Sequence, residues 1–121
     1  MKSVEKKNKE LVNLTRVNQL SADNIQFKKD LISLFLRQIP DFLENMKRYN
    51  KTNEWENLAR EAHTAKSSVL IFGMEETAQL LTRIQCFSEK KSVAEISGLI
   101  KSVEYQLDKA NSFLTDILNK L

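Results

Sequence analysis

The sequence predicts an all-α protein, an up-and-down four-helix bundle with a short extra helix at its N-terminus. Three observations predict it. The 121 residues hold only two glycines and one proline, too few turn formers for a sheet of many short strands. Apolar residues recur at three- and four-residue steps through most of the chain, the period of a helix with one buried face. Hydrophobic residues make up 41% and charged residues 29%, a globular balance with enough apolar surface for one core of this length.

Taken in order, residues 1–10 (MKSVEKKNKE) are polar and read as a lead-in or linker, and the bundle is expected over 11–121. Leu11, Leu14, Val17 and Leu20 step at helical spacing and predict the short first helix. Ser21 and Asp23 are natural caps for the next one. Over residues 24–49, Ile25, Leu31, Leu34, Phe35, Ile39, Phe42, Leu43 and Met46 form the inward stripe of a long helix. Pro40 lies inside it and is expected to kink or divide it, because proline lacks the backbone donor and crowds the preceding turn.

Asn53 and Glu56 have the spacing of a capping box and predict a third helix over 54–72. Its inward residues are Trp55, Leu58, Ala62, Ala65, Val69 and Phe72, and its stop is Gly73, suited to the left-handed conformation of a helix end. The tryptophan and the phenylalanines are expected in the core. A fourth helix over 75–88 turns Ala78, Leu81, Ile84 and Phe87 inward. Lys90 and Lys91 follow and suit its C-terminus electrostatically. Ser92 and Glu95 form a second capping box, opening a last long helix with Ile96, Leu99, Ile100, Val103, Leu107, Phe113, Ile117 and Leu118 inward. Short connections between long amphipathic helices predict antiparallel neighbours.

Composition also removes several kinds of chemistry. The formal charge is +3, but four lysines and two glutamates fall in residues 1–12, so the remainder is close to neutral with mixed signs. A concentrated basic face with aromatic readers, as nucleic-acid binding wants, is absent from the pattern. The chain contains no GxxxxGK[ST] and no GxGxxG loop to cradle a nucleotide. One cysteine and one histidine cannot assemble a zinc site of the usual kinds. Cys86 reads as a small, half-buried hydrophobe in a reducing compartment. No apolar run is long enough to span a bilayer, so the chain is expected to be cytoplasmic or the cytoplasmic portion of a membrane-bound protein.

What remains is His63, in Arg60-Glu-Ala-His-Thr-Ala-Lys-Ser-Ser-Val-Leu-Ile-Phe-Gly73. At ~100° per residue it lies roughly 110° from the middle of its helix's inward stripe, on a solvent-facing flank. Lys66 and Ser67 stand one turn above it, Ala59 one turn below and Leu70 two turns above. Small neighbours leave room for a protein partner to approach an imidazole nucleophile, and a lysine ammonium can offset the charge of a phosphoryl group. Helix geometry alone does not choose this over an inert surface histidine, which is what a lone surface histidine usually is.

The run Ala62-His63-Thr64-Ala65-Lys66-Ser67-Ser68, closed by Gly73, resembles the signature of histidine-containing phosphotransfer (HPt) domains: a histidine, a lysine three residues on, a small residue after it and a glycine closing the helix. Leu34-Phe35-Leu36 through Ile39-Pro40-Asp41-Phe42-Leu43, and Asn53-Glu54-Trp55-Glu56-Asn57-Leu58, resemble the family's preceding helix and its lead-in to the histidine helix. The likeness covers roughly residues 14–118. It implies that His63 is the phosphoacceptor through Nε2, with Lys66 as its charge partner.

By the same resemblance, Ala59, Ser67 and Leu70 would meet a partner and Gly73 would be structural. Ser67 stands where many members have glycine, and Ala65 where a larger apolar residue is frequent. The implied partners are response-regulator receiver domains, which would bring Mg²⁺ of their own, while this chain would need no cofactor and neither bind ATP nor autophosphorylate. It would relay a phosphoryl group between receivers, either alone or as the C-terminal module of a hybrid sensor histidine kinase in the cytoplasm. A monomer is expected, without nucleic-acid binding or membrane insertion. The competing readings are a non-catalytic scaffolding bundle and a dimerising histidine hairpin of a sensor kinase.

Overall fold

A computed structural model describes residues 11–121, all of their regular structure helical. The polar lead-in expected at 1–10 lies outside the described residues. The helices are α1 (Thr15–Ser21), α2 (Ile25–Lys51), α3 (Trp55–Ile71), α4 (Glu75–Glu89) and α5 (Val93–Lys120). Helices α2 to α5 form the bundle: α3 packs between α2 and α4, α5 closes the ring between α4 and α2, and α1 lies against α2. The side-chain bonds from Asn50 to Ser97 and from Lys47 to Glu104 show that α2 and α5 run antiparallel.

The three connections within the bundle share one device. Each is three residues long, and its middle residue is left-handed: Asn53 (φ 59°), Gly73 (φ 64°) and Lys91 (φ 59°). In each, the following amide donates to a carbonyl five residues back (Glu54 to Tyr49, Met74 to Val69, Ser92 to Phe87), and the left-handed residue donates three back. This is the Schellman end of a helix, which satisfies carbonyls left over by the last turn.

Two expected capping boxes are corrected here. Asn53 is spent as the left-handed residue that ends α2, so Glu54 takes the cap position of α3 with no side-chain cap bond. Ser92 does stand at the cap of α5, but its hydroxyl makes no cap bond. The cap of α2 is Asn24, whose Oδ1 accepts from the amide of Phe27 at 2.9 Å, in place of Ser21 or Asp23. Pro40 does not divide α2. It is exposed, where water can meet the carbonyl that its missing N–H leaves free.

The core joins Phe35, Ile39, Phe42 and Met46 of α2 to Leu58, Ala62, Ala65 and Val69 of α3, Leu81 and Ile84 of α4, and Ile96, Val103 and Leu107 of α5. Phe35 and Phe72 stack with ring centroids 4.4 Å apart, joining the middle of α2 to the end of α3. Between α4 and α5 the buried Thr77 hydroxyl donates to Gln106 Oε1, and Gln106 Nε2 donates to Glu76.

Several inward assignments are corrected. Leu20, Ile25, Leu34, Phe27 and Phe113 are exposed, while Val12, Ile32, Met74, Ala110 and Leu114 are buried. Trp55 is only half-buried, and Cys86 is exposed rather than half-buried. The C-terminal half of α5 is thus turned so that Leu114, not Phe113, faces inward.

Candidate functional site

His63 sits in the middle of α3 with its side chain exposed. The helix rests on Leu58, Ala62, Ala65 and Val69, all fully buried. Three of these are small or β-branched, and together they hold α3 close to its neighbours with little freedom to roll. The histidine is therefore a surface group on a rigid base.

Lys66, one turn further along, is half-buried, and Ser67 is exposed with its Oγ bonded back to the His63 carbonyl at 3.4 Å. In a helix the Cα–Cβ bonds tilt toward the N-terminus, so the Lys66 side chain starts out on the His63 side of its turn. Arg60, one turn the other way, leans off. Its guanidinium donates to Asn57 Oδ1 at 3.3 Å and lies 3.5 Å from Glu56 Oε1. Among the described residues Lys66 is in no ion pair, so its ammonium is available to an incoming anion.

Leu70, two turns beyond the histidine, is 40% exposed. Beside it, Ile71 and Ser68 line a small groove with Leu31, Leu34 and Gln38 of α2, so the apolar ground near the histidine extends across the α2–α3 seam. The sequence reading missed that extension, because Leu34 falls on the same three- and four-residue series as residues that are buried. Gly73 ends the helix as expected. Its missing side chain also admits the N-terminal segment, whose Asn13 amide donates to the Phe72 carbonyl at 2.9 Å.

Ala59 does not belong with the exposed residues. It is 9% exposed and faces α4 across a cleft with Gln85 and Ser88. One turn below the histidine the helix surface is already covered by α4, because the arc buried by α4 is wider than the apolar stripe. Arg60 and Gln85 line the same cleft, where Gln85 is brought in only by the packing of α4.

An exposed imidazole, a lysine one turn along that is in no ion pair among the described residues, a small hydroxyl residue and a nearby apolar patch suit a site that receives a protein partner and an anionic group. A model of the Hpt domain family matches residues 30–113, which include His63, Lys66 and Gly73. The chain belongs to the HPt domain family. No curated protein and no solved structure matches it. As an HPt domain it has a phosphotransfer role in two-component signalling, and its family works through receiver domains. The helical bundle agrees with that membership. Among the described residues no helix is long and apolar enough to cross a membrane.

Proposed function

We propose that this HPt domain is a phosphorelay intermediate in which His63 Nε2 accepts the phosphoryl group of a receiver aspartate and passes it to a second receiver. The observation that carries the reading is His63 itself, exposed at the middle of α3 above a buried stripe, with the half-buried Lys66 one turn along the helix. In the forward step the Nε2 lone pair attacks phosphorus in line. An N–P bond forms, the acyl O–P bond breaks, and the receiver's carboxylate leaves with the electron pair. The same geometry run backwards charges the next receiver.

Lys66 would place its ammonium against the phosphoryl oxygens, where charge-assisted donors are strongest. Ser67, being small, would leave the approach open, and Leu70 with Ile71 and Leu34 would supply the apolar contact of a modest, transient interface. The receiver would contribute Mg²⁺ and its own acidic pocket, and this chain would supply position and charge. It would act in the cytoplasm, alone or as the C-terminal module of a hybrid sensor histidine kinase, without autokinase activity.

The test is transfer from a phosphorylated receiver to the wild-type chain and to His63→Gln. Acid-labile, alkali-stable label on the wild type alone is the expected result. Equal label on both proteins would remove His63 from the role.

A further inference from the structure

Helix α5 packs inward against α4 and α2, and among the described residues one long outward face stays exposed, with Leu11 and Val12 along one edge. Gly98, Lys101, Tyr105, Asp108, Lys109, Ser112 and Asp116 are all exposed and recur at three- and four-residue steps, so they share that face. Tyr105 is 62% exposed, a large ring with the Lys109 ammonium 5.0 Å from its centroid. Tyr105 is itself one wall of a groove of about 610 Å³, lined further by Asp108, Lys109, Ser112 and Phe113 of α5 and by Leu11 and Val12.

The charges on this face have an internal symmetry. Turning α5 end over end about a point between residues 108 and 109 places Lys101 opposite Asp116, and Asp108 opposite Lys109. It also places Tyr105 opposite Ser112, at the height of the groove. Among the described residues Lys101, Asp108, Lys109 and Asp116 take part in no ion pair within the chain. A face whose reversed copy is its own electrostatic complement is what an isologous two-fold interface requires.

We propose that the outward face of α5 binds a second copy of this chain, the two α5 helices antiparallel about that two-fold axis. Each Tyr105 ring enters the partner's groove beside Phe113 and Leu11. Two Lys101–Asp116 pairs close the ends, and two Asp108–Lys109 pairs lie at the centre. Rim charges set register and specificity more than strength, and the apolar content is confined to two rings and the groove walls. The association is therefore weak and reversible, in place of the monomer expected from the sequence. Helix α3 lies across the bundle from α5, so both His63 side chains stay open and the dimer is a two-headed carrier.

Sedimentation equilibrium of the full chain, from about 10 μM to about 1 mM, tests this directly. The wild type is expected to shift from monomer to dimer across the range. Asp116→Lys sets like charges opposite each other twice and should weaken association by about tenfold or more. Adding Lys101→Asp to that variant restores complementarity and should return the affinity to near wild type. Tyr105→Ala should weaken it without altering the charge pattern. A wild type monomeric throughout overturns the proposal. So does a dimer indifferent to Asp116→Lys, or a double variant no tighter than the single one.

Discussion

A Cβ placed on Gly73 would lie 2.5 Å from the Cβ of Asn13 and 2.6 Å from its carbonyl oxygen. The glycine that ends the histidine helix is thus required twice, once by its left-handed backbone and once by the N-terminal segment seated against it. Gly73→Ala meets both obstacles. The backbone strain alone costs roughly 1–2 kcal/mol, and displacing Asn13 adds to it. Urea unfolding should show a loss beyond 2 kcal/mol. A loss below about 1 kcal/mol would show that the segment yields freely.

Lys91 occupies the same place in its turn as Gly73 but carries a side chain at φ 59°. Lys91→Gly relieves that strain while freeing the unfolded chain, and the first effect is the larger at a left-handed position. A gain of about 0.5–1 kcal/mol is expected in thermal or urea unfolding. A loss would mean that the lysine side chain contributes more at this helix end than its backbone costs.

Phe35 is buried and stacked on Phe72. Truncation to alanine removes a large apolar side chain and leaves a cavity between α2 and α3, with an expected cost of about 3–5 kcal/mol. His63→Gln, by contrast, changes an exposed residue and should stay within about 0.5 kcal/mol of wild type. Comparing the two unfolding curves separates a damaged fold from a removed acceptor.

Lys66→Ala should slow phosphoryl transfer by about tenfold or more, as loss of a positioned donor to developing charge does elsewhere, while circular dichroism stays unchanged. Arg60→Ala should have a smaller effect, because its guanidinium leans toward Glu56 and Asn57 and away from His63. A larger effect from Arg60 would reverse the roles proposed for the two cations.

Thr52 and Asn57 donate to the Glu54 carboxylate at the start of α3, and Arg48 adds a favourable charge, so its pKa is held below the ordinary value of 4.5. A carboxylate with a depressed folded-state pKa binds fewer protons in the native state than in the unfolded one. Its contribution is therefore present above the ordinary carboxylate range and is lost as pH falls through the folded pKa. Glu54→Ala should destabilise the protein at neutral pH, and the gap from wild type should close as the pH falls below the ordinary carboxylate range. A gap independent of pH would assign the effect to lost packing.

How far the sequence reached is clearest on α3. Leu58, Ala62, Ala65, Val69 and Phe72 were legible as its buried stripe, and so was the exposure of His63, because helical period alone separates one face from the other. Gly73 was legible as its end. Ala59 was not, since an alanine flanking the stripe is compatible with either face until α4 is in place. The capping boxes failed for a related reason. Asn53 suits both a cap and a left-handed turn, and the three-residue connection to α2 required the turn.

By itself the sequence determined the class of fold, the ends of the four long helices to within a few residues, and the solvent-facing position of its single histidine. These follow from local spacing, which each helix carries without reference to the others. Tertiary structure alone decided how wide an arc of each helix is buried. It buried Ile32 of α2 and Leu114 of α5, exposed Leu34 and Phe113, and set Gln85 of α4 in a cleft with Ala59. Those outcomes depend on which neighbour covers each flank and how closely it approaches, and the period of one helix holds no record of that.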